Sequence, residues 1–440
     1  MRALLPRLGA DFAKLWTASA VSNLGDGVTM VAGPLLVVSM TTDPAAVAGA
    51  VFAQQLPWLL FALISGAWAD RLDRRKLVVV VDLVRAAAML SLAVVVATGT
   101  VSVMLVYVVF FILGTGETLA DTAASAFVPS LVPSERLPTA NSWLGATFTV
   151  IHQFAAKPLG AWLFVVAAAL PFGLNAVSFL LAAALVAAVH IPRADVAPLV
   201  PAPDLAAASL TAGREPVVAP EAGAAAGPAA SGTSLPAEIA AGVRWLWQHR
   251  LLRTLAVTMA FGNVVFCAAF AIFVLYSRER LGLSSVGYGV LLTAFAVGGL
   301  LGTLLAPKLL AKLNATILLR AGLLIEVALH ATLAATTKPW VAATMIVVFG
   351  IHAMVWGVVV TTIRQRAVPR TMFGRVTSVY SLLDLGGAAV GSLLGGAVAQ
   401  SYGVVATFWT AAVAMLLITG AAWKPLKAAA AEFRTTSRAT

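Results

Sequence analysis

Twelve stretches of this chain are long and apolar enough to cross a bilayer, and that leaves little choice of fold. A spanning helix needs about 20 apolar residues. Breaks at Pro, Gly or charge place the stretches near 13–40, 45–69, 77–98, 101–128, 138–165 and 167–190, then 251–277, 285–306, 316–337, 339–363, 376–402 and 403–424. Hydrocarbon offers no partner to backbone N–H and C=O groups, so each stretch is predicted to be helical. With 60% hydrophobic residues, 11% charged residues and a mean hydropathy of +0.95, a soluble fold is excluded. The expected class is an all-α membrane protein of twelve transmembrane helices in two six-helix halves.

Short loops join nearly all the stretches, but residues 191–250 interrupt them and divide them six and six. Three parts are expected: residues 1–193 and 251–440 as the halves, and 194–250 as a cytoplasmic connection. Ala194 to Ser234, rich in Ala, Pro and Gly, lacks periodicity and reads as a disordered linker. From Leu235 to Arg250, Ile239, Val243, Leu246 and Trp247 share a helical face beside Arg244 and Trp245, which predicts an amphipathic helix on the membrane surface. Its plainer role is to connect the halves.

An internal repeat supports the same division. Val132-Pro133 through Asn141-Ser142 aligns without a gap on Val368-Pro369 through Thr377-Ser378, and the same offset superposes Gly160 on Gly396, Gly66 on Gly302 and Lys76 on Lys312. Parallel repeats about an axis along the membrane normal are a transporter feature.

Charge sets the orientation. Of 29 Lys and Arg residues, Arg278, Arg280 and Lys338 fall in loops on one side, and Arg85, Lys157 and Arg320 fall inside spans. All the others lie on the side of the termini, which the positive-inside rule places in the cytoplasm. The basic start, Arg2, Arg7 and Lys14, runs into an apolar stretch too long for a signal peptide, so no cleavage is expected. The net charge of +11 is thus a matter of topology, and nucleic acid is not an expected partner. Cys267 is the lone cysteine, which excludes disulfides within the chain and cysteine-based metal sites.

A charge at the bilayer centre costs at least about 2.5–3.5 kcal/mol, so each intramembrane polar residue needs a reason. At about 1.5 Å per residue, Asp26, Glu117, His152, Asn263 and His352 all fall roughly 16–20 Å from the terminal side, in one layer. Glu117 and Asp121 are one helical turn apart, and in low dielectric two such carboxylates hold a proton as a unit. Asp26, between Gly25 and Gly27, reads as a proton or substrate site or as a brace for the first span. Lys157, deeper in the fifth span, has several readings: neutralising an acid, pairing with Asp26 or Glu117, attracting an anionic substrate, or snorkelling outward. Asp82 and Arg85 pair locally, and Arg320 snorkels. Trp58, Trp143, Trp340, Trp356 and Tyr380 read as packing or interfacial aromatics, with Trp356 one turn from His352.

The run Gly66-Ala67-Trp68-Ala69-Asp70-Arg71-Leu72-Asp73-Arg74-Arg75-Lys76, between the second and third stretches, resembles the cytoplasmic signature of the major facilitator superfamily. Ser22 to Gly27, Glu117 to Ser125, Val132-Pro133, Ala140-Asn141-Ser142 and Gly374-Arg375-Val376 resemble the bacterial drug and siderophore exporter branch. The resemblance implies a rocker-switch bundle whose first, fourth, seventh and tenth spans line a central cavity. Asp26, Glu117, Asn263 and His352 lie on those spans; His152, Lys157 and Trp356 complete the expected cavity. It implies a peripheral ninth span, so Glu326 and His330 read as structural. It also implies a latch of Gly66, Asp70, Arg71, Arg74, Arg75 and Gly374, with Asp384 in the gate, in which Asp70 meets the eleventh span near Gly374 and the arginines stitch the halves together.

The resulting expectation is a secondary transporter in the cell membrane, a monomer with both termini cytoplasmic. It exports a small amphipathic drug or natural product by proton antiport, with Asp26, Glu117 and Asp121 handling protons. Its partners are the substrate, protons and the lipid bilayer. A siderophore exporter, a proton-coupled nutrient symporter and a non-transporting receptor remain as alternatives. An enzyme is not expected, because no metal-binding His pair, nucleotide loop or nucleophile elbow occurs; neither cofactor nor metal is implied.

Overall fold

A computed structural model describes residues 8–71, 73–133, 136–190, 235–369 and 372–428. It gives the backbone alone at 62–71, 74, 121–122, 124–126, 235–239, 374, 378 and 428. The predicted linker from Ala194 to Ser234 lies outside the described residues. The first four spans are the helices Ala10–Met40, Pro44–Arg71, Arg74–Ala97 and Val103–Leu131. The fifth runs as Leu137–Thr147, passes through a π-helical segment Phe148–Ala155 and resumes as Ala156–Val166; the sixth is Leu170–Ala187. The seventh, Arg250–Ala271, is followed by a single turn Phe273–Leu275 and a π segment Tyr276–Arg280. The last five are Ser285–Lys312, Ala315–Ala335, Pro339–Ala367, Phe373–Tyr402 and Val404–Trp423.

Eleven of these helices are, each unbroken, long and apolar enough to cross a membrane, and the fifth span reaches that length only as its three segments together. Side-chain caps fix several ends by satisfying orphan N–H groups. Asp73 accepts from the Arg75 and Lys76 amides, Ser102 from Leu105, Ser284 from Gly287 and Asn314 from Ile317.

Close packing within the C-terminal half rests on missing side chains. Gly387, Gly391 and Gly395, one turn apart on the eleventh span, lie against the carbonyl oxygens of Ala260, Val264 and Ala268 on the seventh. A Cβ at any of the three would meet backbone, which makes this a small-residue seam of the kind that draws membrane helices together.

The two ends of the bundle differ. Away from the termini, one apolar core takes Val31, Leu35 and Val38 from the first span together with Ile272, Phe273 and Tyr276 after the seventh. There Gly396 also packs on Ala48, and Gly289 on Ala161. At the terminal end the cores are separate among the described residues. Phe12, Leu15, Phe127 and Val186 form one, while Leu252, Leu255, Val376 and Tyr380 form the other. The halves are therefore joined at one end, and among the described residues they share no apolar core at the other.

The helix Leu235–Gln248 rests on the eleventh and seventh spans. Its docked face is Gly242 and Leu246, with Gly242 against the Arg375 carbonyl; Val243 and Trp247 are exposed. The sequence grouped Val243 and Leu246 on one apolar face. Protein on one side and lipid on the other both accept apolar residues, so periodicity alone could not separate them.

Candidate functional site

The intramembrane polar residues fall into three groups rather than one layer around a single cavity. In the N-terminal half, Arg85 Nη2 of the third span donates to Asp26 Oδ1 at 3.1 Å, and its Nη1 lies 3.7 Å from Asp82 Oδ1. The guanidinium sits 3.9 Å from the Phe179 ring centroid, and Ser22 Oγ donates to Asp26 Oδ2 at 3.3 Å. One arginine thus holds two acids and ties the first, third and sixth spans together. The local Asp82–Arg85 pair was legible from the three-residue spacing; the reach of Arg85 to Asp26 was not, because a sequence does not show which face of the third span meets the first. Removing one member of such a buried set leaves an uncompensated charge, at a cost of about 3–5 kcal/mol.

The fifth span brings a second polar set. His152, in the π segment, stacks on Phe148 with ring centroids 4.7 Å apart, and its Nδ1 is buried without a hydrogen-bond partner among the described residues. Gly27 admits the His152 carbonyl against the first span. Lys157 is only 2% exposed and donates to Gln153 Oε1. It therefore neither snorkels nor pairs with Asp26. Glu117 is half-buried on the fourth span, while the side chain of Asp121 lies outside what the structure describes.

A cavity of about 140 Å³ lies in the C-terminal half and is closed on one flank by the second span. Of the residues expected to face a cavity, Asn263, His352 and Trp356 line this one; Asp26, Glu117, His152 and Lys157 do not. Its other polar walls are Gln55 and Trp58 from the second span, Cys267 from the seventh, Glu326 from the ninth and Asp384 from the eleventh. His352 Nε2 and Glu326 Oε1 are 3.2 Å apart, with the two side chains 4% and 17% exposed. The imidazole is wedged between Trp356, 5.7 Å away edge-on, and Gly322. A Cβ at Gly322 would collide with the His352 ring, so glycine there is what lets the ninth span approach. The Asn263 amide donates to the Asp384 carbonyl oxygen, fixing the seventh span to the eleventh.

Glu326 reads as structural from the sequence because the family architecture implies a peripheral ninth span, yet it stands in the cavity wall. A signal was present, since an acid at mid-span is as costly there as on any other helix. Gln55 and Trp58 were missed for a different reason: no charge marks them. His330 does read as structural, with Nδ1 2.8 Å from the Glu326 carbonyl oxygen.

Of the expected latch, Gly66, Asp70, Arg71, Arg74 and Gly374 have side-chain positions outside what the structure describes. Arg75 Nη2 donates to the Ala187 carbonyl oxygen, within its own half rather than across to the other. Asp384 stands in the cavity wall.

The family model for transmembrane secretion effectors matches residues 3–215 and 227–437. Over 91% of this chain and 92% of the relative, the sequence is 24% identical to the multidrug efflux pump Tap of Mycolicibacterium fortuitum. Shorter alignments are closer: 31% identity over 157 residues with an MFS-type transporter of Mycobacterium bovis, and 30% over 126 residues with macrolide efflux protein A of Streptococcus pyogenes. They cover 33% and 29% of this chain and span about a third of those relatives, 35% and 31% of their length. Among solved structures, a bacterial homologue of the iron transporter ferroportin superposes with a TM-score of 0.70 in its inward-facing state, at 17% identity over 94% of this chain and 98% of that one. The outward-facing state of such a homologue scores 0.56, at 18% identity over 94% and 99%. The fold is shared.

Proposed function

The chain belongs to the transmembrane secretion effector family of the major facilitator superfamily and is a multi-span membrane transporter, not an enzyme, and from that premise we propose that it expels a small amphipathic organic molecule in exchange for protons. The observation that carries this reading is the pairing of half-buried Glu326 with buried His352 in the wall of the cavity. The Glu326 carboxylate can bring one negative charge to the cavity wall. Low dielectric makes that charge costly, so one positive charge is held there: a proton, or a cationic group of the substrate. Entry of one displaces the other. Asp384 and Cys267 face the same cavity from the eleventh and seventh spans, and His330 lies one turn along from Glu326.

Direction is supported by charge and packing together. The end where the apolar cores are separate is the end rich in Lys and Arg, which the positive-inside rule places in the cytoplasm with both termini. A substrate then loads from inside. In the N-terminal half, Asp26 is braced by Arg85, and we assign proton handling there to Glu117 with Asp121, by their one-turn spacing.

The test is transport in everted vesicles energised by a proton gradient and offered dyes, macrolides and siderophores. Accumulation of at least one compound, abolished by collapsing the gradient, is expected. No accumulation of any compound, with the protein present, contradicts export and favours a receptor.

A further inference from the structure

The second span contributes two polar side chains to the cavity, and neither is satisfied. Trp58 is 3% exposed, and its Nε1–H has no hydrogen-bond acceptor among the described residues; Gln55 Oε1, three residues earlier, is buried without a donor. Both residues line the cavity. A buried unpaired donor or acceptor costs about 1–3 kcal/mol, so a pair of them on adjoining turns calls for an explanation. Packing does not supply it, because a Leu and a Phe would fill the same space without the cost.

Resting on the transport reading above, we propose that Gln55 and Trp58 are the specificity-determining residues of the substrate site, and that the site recognises an organic ammonium ion that also carries an acceptor oxygen and a hydroxyl or second N–H. The ammonium donates to Glu326, Trp58 Nε1–H donates to the acceptor oxygen, and Gln55 Oε1 accepts from the remaining donor. Phe266, Phe349 and Trp356 line the same space and receive the apolar body. The cavity of about 140 Å³ matches the roughly 150 Å³ that admits a benzene ring, so in this state it takes one ring-sized group. The substrate's remainder lies toward the end where the apolar cores are separate. Gln55 and Trp58 belong to the N-terminal half and Glu326 to the other. A substrate bound in this way bridges the two bodies that must move relative to one another, and its fit is felt by both.

The experiment measures equilibrium binding of two probes to the purified full-length protein in lipid nanodiscs. Propranolol carries an aromatic body, a protonated amine, a hydroxyl and an ether oxygen; tetraphenylphosphonium is a lipophilic cation with no donor and no acceptor. Trp58→Phe and Gln55→Leu are each expected to weaken propranolol binding about 3- to 10-fold, the loss of one hydrogen bond, and to leave tetraphenylphosphonium binding within about 2-fold. Retained tetraphenylphosphonium binding also shows that the variants are folded. Glu326→Gln is expected to weaken both probes at least about 10-fold. Unchanged propranolol binding in Trp58→Phe and Gln55→Leu, equal loss of both probes, or no propranolol binding by the unaltered protein would overturn the assignment. Gradient-driven export by vesicles from the same preparation separates the two levels. Export together with any of those three outcomes discards this site alone, whereas absence of export for every compound discards the transport reading on which it rests.

Discussion

His352 of the tenth span and Glu326 of the ninth meet at 3.2 Å in the wall of a cavity, with Gly322 clearing the space that lets them do so. The ninth span thereby brings an acid into the cavity wall, where the proposed exchange would swap one positive charge for another. Consequences for stability, motion and coupling follow from this arrangement and from the packing around it.

Arg85 neutralises both Asp26 and Asp82. Arg85→Met strands two acids in the bundle and is expected to destabilise the protein by about 3–5 kcal/mol, read as a fall in thermal unfolding temperature in detergent. Adding Asp26→Asn to Arg85→Met removes one stranded charge and recovers part of the loss. Equal stability of Arg85→Met and the unaltered protein would show that the arginine is dispensable.

The seam of Gly387, Gly391 and Gly395 against the seventh span admits no side chain. Gly391→Ala is expected to cost about 1–3 kcal/mol by overpacking. Gly420 has open space around its Cβ position and serves as the control, so Gly420→Ala should be close to neutral. Comparable unfolding temperatures for the two variants would contradict a tight seam.

Ala48 and Gly396 touch where the halves join. With Cys267, the lone cysteine, replaced by Ala, the pair Ala48→Cys and Gly396→Cys should crosslink under mild oxidation once the two helices shift apart slightly, since a Cβ at Gly396 stands 2.6 Å from that of Ala48 and a disulfide takes about 3.5–4.5 Å; the crosslink should stop transport and reduction should restore it. Full transport by the crosslinked protein would mean that this end does not open.

Asp121→Asn removes one of the two acids that share a face of the fourth span. Proton-driven export is expected to be lost while the protein still reaches the membrane at its usual level. Unaltered export with the same pH dependence would remove Asp121 from the coupling path.

The span positions were largely legible because apolar runs and chain breakers report directly on what hydrocarbon tolerates. Residues 339–363 were predicted and Pro339–Ala367 observed; residues 376–402 were predicted and Phe373–Tyr402 observed. The sites were less legible. Asn263, His352 and Trp356 drew notice because polar or aromatic residues stand out on a span expected to line a cavity, and they line one here. Glu326 lines it too and was passed over, because the expected architecture outweighed its charge. Arg85 was assigned only the neighbour that helical spacing reveals, and its partner 59 residues away needed the packing of the third span on the first. The π segment Phe148–Ala155 left no sequence mark, since its extra residue is accommodated by the backbone and not by composition.

The most direct test of the Glu326–His352 exchange is the dissipation of a pH gradient in acid-loaded everted vesicles when an exported compound is added. Unaltered protein should release lumenal protons on each addition, and Glu326→Gln, present at the same level, should release none. Proton release by Glu326→Gln equal to that of the unaltered protein would contradict the exchange.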